Sequence, residues 1–472
     1  MKLYFLLAVA QWAGVAGFAA SDDAWPMFRG PNASGVAANA NPPIRIGPEQ
    51  GVLWKTAVPA SPGSPCVSGD RVFLTAFAEG RLETRAYDCA DGRLLWSRVA
   101  PAKQLEEYHS TEGSPATSTP AADSQGVVSY FGSAGVFCYD RAGREVWQYP
   151  LPAAQTFSGF GSGTSPLIAQ DRVILNRDVL EGAAIFALDR KTGKKLWETP
   201  RPDSRTGYGT PILWSHDGVT EIVVAGSLSL KGYDLANGEE RWLVRGLPSS
   251  SCTTPVIGDG LLFFAGWSPG KADAPFPTWE ALLRQMDKNG DGKISLEEFA
   301  WGPAAFRSID TDKNQFIDAA EWNAFTAIVT KGENVLIAVK PGGTGDATAT
   351  HSAWKATRGL PYVSSPLYYN GQVYIVKDGG LLSCFNARTG EPIFTQERIP
   401  DAAGSYYASP VAAAGRIYLA SLQGKVTVIK AGGNKPEVLH QAAFGERIAA
   451  TPALVGDKLY LRTATKLYAF GT

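Results

Sequence analysis

Short apolar runs that open on a Ser-Pro or Thr-Pro pair recur along the chain: "GSPCVSGDRVFL", "GSPATSTP", "TSPLIAQDRVIL", "GTPILW", "TTPVIGDGLLFF", "SSPLYYNGQVYI", "ASPVAAAGRIYL" and "ATPALVGDKLYL". Brief stretches rich in Val, Ile, Leu and aromatics, bounded by Gly, Asp and Asn, predict β-strands and tight turns. Their prolines are Pro65, Pro115, Pro166, Pro211, Pro255, Pro366, Pro410 and Pro452, separated by 50, 51, 45, 44, 111, 44 and 42 residues. A unit of about 45 residues is therefore repeated, and one interval is over-long by about 65.

A second landmark follows each start, A-x-D-x-x-x-G-x-x-x-W: "AYDCADGRLLW" (Ala86 to Trp96), "ALDRKTGKKLW" (Ala187 to Trp197) and, with Gly232 for Ala, "GYDLANGEERW". "CYDRAGREVW" and "CFNARTGEPIF" are looser copies. Asp and Gly turn the chain between two strands, and the Trp ends the second. Each unit then supplies four strands, A to D, and eight units predict an all-β fold, an eight-bladed β-propeller of four-stranded blades. The last unit stops at "KLYAFGT" after its third strand, while "GVLWKTAV" with Trp54 stands unassigned before the first unit. This N-terminal strand is expected to complete the last blade and remove its open edge.

The over-long interval departs from the strand pattern. In "TWEALLRQM", Trp279, Leu282, Leu283 and Met286 share one helical face. A 12-residue loop follows, with Asp287, Asn289 and Asp291 at positions 1, 3 and 5, Gly292 at the sharp turn, Lys293 offering its carbonyl, then Ser295 and Glu298. This is the oxygen-rich EF-hand pattern that suits calcium, a hard ion taking six to eight oxygens. Ser295 and Glu298 also form a capping box for an outgoing helix. Twenty-three residues on, Asp310, Asp312, Asn314, Phe316 through its carbonyl, Asp318 and Glu321 repeat the arrangement. Here Gln315 replaces the turn glycine, at a cost of roughly 1 to 2 kcal/mol for a left-handed residue, so this second site is expected to be weaker by about tenfold or to stay empty. Ile294 and Ile317 are expected to pair, with Trp301, Phe306, Trp322 and Phe325 as a small core.

The insert lies between strand B ("GLLFFAGW", Gly260 to Trp267) and strand C ("NVLIAVK", Asn334 to Lys340) of the fifth blade. Chain direction reverses with every strand, so it emerges on the face that carries the D–A segments. Those segments bring Tyr108, His109, Phe157, Phe160, Arg205, Tyr208, Tyr362, Tyr406 and Tyr407 towards one funnel mouth, a candidate surface for a protein, glycan or small-molecule partner. The chain divides into a signal segment (1–20), an N-terminal arm (21–50), propeller (51–267), EF-hand pair (268–331) and propeller again (332–472).

Composition narrows the function. Lys plus Arg number 44 against 45 Asp plus Glu, so no nucleic acid or acidic membrane is expected as a partner. Lys2, an apolar stretch and small residues up to Ala20 predict export without a membrane span, and a monomer is expected. Five dispersed cysteines form no CxxC pair, and four histidines (His109, His216, His351 and His440) are too scattered for a metal cluster. His109 beside Glu112 is the one pairing to inspect for chemistry.

The repeat resembles the pyrroloquinoline-quinone (PQQ) repeat family of propellers, whose tryptophan-docking motif has this spacing, over residues 51 to 267 and 332 to 472. "WPMFRGPNASGV" (Trp25 to Val36) also resembles the N-terminal signature of secreted bacterial PQQ-like proteins. The family includes quinoprotein dehydrogenases and non-enzymatic scaffolds of outer-membrane β-barrel assembly. The docking motif speaks to fold alone. No adjacent-cysteine pair occurs, the clear calcium loop lies outside the blades, and HExxH, GxSxG and P-loop motifs are absent. The reading favoured is a calcium-binding, non-catalytic exported propeller without PQQ; the alternative is a PQQ-dependent dehydrogenase of alcohols or sugars.

Overall fold

A computed structural model describes residues 24–103, 105–270 and 276–471. The expected signal segment lies outside them. Eight antiparallel sheets follow one another along the chain, each with its four blade strands in sequence order except the last. That sheet takes its outer strand from Val52–Ala57, which pairs with Lys466–Phe470. The ring is thus closed by the N-terminal strand, as the truncated last repeat implies.

The Ser-Pro and Thr-Pro pairs sit at the start of each innermost strand, and their residue types have a specific cause. The backbone N–H of one blade's Ser or Thr donates to the hydroxyl of the next: Ser64 to Thr119, Thr119 to Ser165, Thr210 to Thr254, Thr254 to Ser365, Ser365 to Ser409, Ser409 to Thr451, and Thr451 to Ser64, all at 2.9–3.0 Å. These eight residues are all 3 % exposed or less. One assignment from the sequence needs correction. The second blade's member is Thr119-Pro120, not Ser114-Pro115, which instead opens a turn closed by Thr117. "GSPATSTP" holds both pairs, and only the second abuts the strand Ala121–Ala122.

At the outer rim Trp54, Trp96, Trp147, Trp197 and Trp354 lie on the turn glycine of the following blade, whereas Trp242 packs on Gly232 of its own blade and bonds Glu221. A Cβ on Gly92 would stand 2.3 Å from Trp54, on Gly193 2.6 Å from Trp147, and on Gly390 2.5 Å from Trp354. The indole N–H of four of these tryptophans then donates to a carbonyl in that turn: Trp54 to Cys89, Trp96 to Arg141, Trp147 to Arg190 and Trp354 to Ala387, at 2.9–3.0 Å. These glycines have positive φ as well, so both the space and the backbone demand glycine. His440 takes the Trp position in the seventh blade and bonds the Ile46 carbonyl at 2.7 Å.

The N-terminal arm is more than a leader to the closing strand. Ala24–Trp25 pairs with the end of the first blade's inner strand, Cys66–Ser68. Asn32 bonds both the N–H and the carbonyl of Leu213 at 2.7 Å, and Val36 bridges Ala412. Arg29 is fully buried and donates to the Pro366 carbonyl at 2.7 Å. The arm therefore spans the axis at the end of the inner strands remote from the D–A segments. All five cysteines are free, and Cys66, Cys138 and Cys384 are buried.

Near the closure, Glu446 accepts from Lys466 (2.7 Å), the Thr463 hydroxyl (2.6 Å), and the N–H and hydroxyl of Thr465 (3.0 and 2.8 Å). Burial opposes its ionisation, but these four donors win and pull its pKa to about 2, from 4.5. Stability from this group is present above pH 4.5 and is lost as pH falls towards 2, at most about 3 kcal/mol. Melting curves across that window should fall less steeply for Glu446→Gln than for wild type; parallel curves would sink the assignment. Deleting residues 51–58 should cause aggregation or lower the melting temperature by roughly 10 °C or more, and an unchanged melt would refute the closure.

Candidate calcium module and central funnel

The insert folds as expected from its apolar spacing, with one change. Helix α1 spans Trp279–Met286, α2 Pro303–Ile309 and α3 Ala319–Thr330. Leu282, Met286, Ile294, Phe299, Phe306, Ile309, Ile317 and Trp322 form its buried core, with Trp279, Leu283 and Phe325 packed against it. Trp301 stays 44 % exposed, its ring tilted against Trp322 with centroids 5.4 Å apart. Ile294 and Ile317 pair across the two loops. The expected capping box forms only in half: the Glu298 carboxylate accepts the Ser295 hydroxyl (2.8 Å) and N–H (2.9 Å), the Glu298 N–H bonds the Ser295 carbonyl and not its hydroxyl, and only a single turn follows, not a helix. Gly302, at φ 84°, and Pro303 break the chain there, so α2 alone serves as the outgoing helix of the first loop and the incoming helix of the second.

Both loops wind alike. Gly290 and Gly292 take φ of 75° and 77°, and their counterparts Lys313 and Gln315 take 59° and 71°. Gln315 was the expected left-handed residue, and Lys313 is a second. In the first loop Asp287 accepts from the N–H groups of Gly290 (2.7 Å) and Gly292 (3.0 Å), and Asn289 from that of Asp291 (2.8 Å). Glu298 accepts from Lys288 and from both the N–H and hydroxyl of Ser295. Those bonds, Ser295's first, hold its pKa at about 2. In the second loop Glu321 folds back in the same way, onto Thr311 and Asp318, and with Asp318 closes a capping box on α3.

Asp310, Asp312 and Glu321 bring carboxylate oxygens within 4.8 Å of one another, the only such gathering of His, Cys, Asp or Glu ligand atoms among the described residues. The sequence favoured the first loop. There position 3 is Asn289, and its acids sit at positions 1, 5 and 12, which leaves them farther apart. Burial raises the carboxyl pKa of Asp310, against hydrogen bonds from the Gln315 and Asn314 N–H groups, and the charge of Glu321 adds to the rise.

The module stands on the D–A face, as strand order requires. Ser158 donates its N–H to the Ser308 hydroxyl (2.8 Å), Phe157 stacks on Phe325 at 6.0 Å, and Arg307 pairs with Glu107. Ser268 and Asn334 clamp the two stems reciprocally at 3.0 and 3.1 Å. Beneath the module lies a cleft of 720 Å³ that takes Phe157 and Arg205 from the expected rim.

The remaining rim residues divide. Phe160, Tyr208, Tyr362 and Tyr407 line a funnel of 200 Å³ over the axis. Tyr108 lines a neighbouring cleft with Arg447, and Tyr406 is buried, bonding the Ala402 carbonyl. His109 and Glu112 form no side-chain pair. The His109 ring meets Thr111 and Phe160, and Glu112 accepts from the Tyr407 hydroxyl. Phe28 from the arm also lines the funnel, which sequence reasoning missed. Three large apolar residues within four positions, Trp25, Met27 and Phe28, were the available signal.

No helix among the described residues is long and apolar enough to cross a membrane. No curated protein matches the chain by sequence. Among solved structures it is similar to a europium-containing methanol dehydrogenase (12% identity, 96% of this chain and 99% of that one, TM-score 0.57). It is also similar to BamB from Moraxella catarrhalis (14%, 89% and 98%, 0.54) and a quinohemoprotein alcohol dehydrogenase from Comamonas testosteroni (13%, 95% and 80%, 0.55). At such identities the likeness shows the fold alone. An EF-hand family model matches residues 280–300. The model described as outer membrane protein assembly factor BamB matches residues 46–160, 120–246 and 317–471, so the chain belongs to that family of repeat propellers.

Proposed function

We propose that this protein is an exported, non-catalytic propeller whose D–A face holds a protein, glycan or small-molecule ligand beside a calcium-ordered module. Asp287, Asn289, Asp291 and Glu298 supply side-chain oxygens to one ion, with the Lys293 carbonyl and Ser295. Asp310, Asp312, Asn314, Asp318 and Glu321, with the Phe316 carbonyl, supply the other. The second loop has four carboxylates against three in the first, and this charge offsets the strain at Lys313 and Gln315. Affinities of about 10⁻⁴ to 10⁻³ M, the range of extracellular modules, suit constitutive occupancy. Export rests on Lys2, the apolar stretch and the small residues before Ser21.

The observation that carries the non-catalytic reading is the funnel lining. A bound PQQ is a planar tricarboxylate that needs cations around its edge and a flat aromatic floor. The lining has no Lys, Arg, His or Trp among the described residues, and its one carboxylate is Glu112. These residues do not fit the quinone.

Calorimetric titration should show calcium binding that loses one component in Asp287→Ala or Glu298→Ala and the other in Glu321→Gln. Isotherms identical to wild type would sink the ion assignment. With PQQ added, dye-linked oxidation of alcohols and sugars should stay at background; turnover above it would replace this reading with the dehydrogenase.

A further inference from the structure

The funnel has an unusual balance of groups. Five aromatic side chains line it: Phe28 from the arm, and Phe160, Tyr208, Tyr362 and Tyr407 from four different D–A segments. Tyr362 and Tyr407 stand edge to face with centroids 6.5 Å apart, and Trp267 backs Tyr362 at 5.7 Å. Glu112 is the only carboxylate of the lining and enters no ion pair among the described residues, and it also borders the neighbouring cleft that holds Arg447. Of the wall's Ser and Thr hydroxyls, Ser64, Thr119, Ser165 and Thr451 are already acceptors in the inter-blade ring. Arg447 lies 5.9 Å from the Tyr407 ring centre but lines the neighbouring cleft, so one aromatic of this wall already carries a cation.

We infer that the funnel is a binding site for a small organic cation of the quaternary or methylated ammonium class. Aromatic faces and an uncompensated carboxylate attract positive charge, most strongly where water is displaced. The lining offers an anion no cationic side chain. A primary ammonium brings three N–H donors, whereas Glu112 already accepts from Tyr407; methyl groups in place of those N–H groups leave nothing unsatisfied and pack on the rings. A volume of 200 Å³ admits a trimethylammonium head group with a short tail. This assignment rests on the reading of the D–A face as a binding surface and names its ligand class.

The test is calorimetric titration of the full chain, at fixed calcium, with choline, with its neutral carbon isostere dimethylbutanol, and with a neutral disaccharide. Choline should bind at least about tenfold tighter than the isostere. That ratio should collapse in Glu112→Gln and in Tyr362→Leu while both melt as wild type. Equal binding of choline and isostere, or a ratio unchanged in both variants, would overturn the cation assignment. Saturable binding of the disaccharide with choline silent would overturn it too, yet leave the D–A face as a binding surface. Silence of all three would remove both.

Discussion

A hydroxyl oxygen accepting the backbone N–H of the preceding blade, seven times around the axis, sets the geometry of everything else in this molecule. Proline after each Ser or Thr keeps that residue extended and removes the next donor, so the remaining N–H points sideways to the neighbouring blade. Inner strands crowd together, and only a small side chain with an acceptor fits there. Each bond is worth about 1 kcal/mol net, but a buried N–H left without it would cost about 1–3 kcal/mol. Seven of the eight junctions carry this bond, and opening any one of them strands groups on two blades. The tryptophans act at the outer rim, where separation between blades is widest, and their fit onto turn glycines fixes the angle at which blades meet.

The arm uses the same motif from the other side. Arg29 lies wholly buried on the axis, with its pKa lowered to about 9 by desolvation, and donates to the carbonyl of Pro366, itself a ring proline. A charge held so far from water needs the surrounding carbonyls in place, so the arm and the ring order each other. The result is a ring that cannot become an open channel: residues Trp25 to Val36 cross its far end, and Phe28 forms part of the funnel wall.

Much of this was legible because it is periodic. Ser-Pro spacing gave eight blades, the truncated last repeat gave the closing strand, and loop chemistry gave the calcium module and its face. What failed to show was aperiodic or ambiguous. "GSPATSTP" offers two Ser/Thr-Pro pairs, and only packing against Ser64 and Ser165 selects Thr119. Of the capping box expected at Ser295 and Glu298 only the Glu298 half forms, because the Ser295 hydroxyl donates to the carboxylate and so does not accept the Glu298 N–H, and Gly302 and Pro303 then end the turn. The arm's route depends on single bonds to blades far away in sequence, as from Asn32 to Leu213, which no local pattern records. Most of the rim aromatics divide among three cavities, and Tyr406 turns inward to the Ala402 carbonyl, because a side chain's direction from a loop is set by its neighbours.

The division of that face has a mechanical consequence. Two D–A segments touch the calcium module, through Glu107 in one and through Phe157 and Ser158 in the other. Those same segments supply Glu112 and Phe160 to the funnel, five and three residues further on. The exposed Arg307–Glu107 pair contributes little by itself, whereas the Phe157–Phe325 stack and the Ser158–Ser308 bond join packed surfaces. Ordering of the second loop positions α2 and α3, which carry Ser308 and Phe325, and through them the backbone that aims Phe160 into the funnel. Lys313 of that loop also reaches Glu181 at 2.8 Å on the third blade, a third point of contact but an exposed one, so the Phe157–Phe325 stack and the Ser158–Ser308 bond carry the coupling between module and funnel.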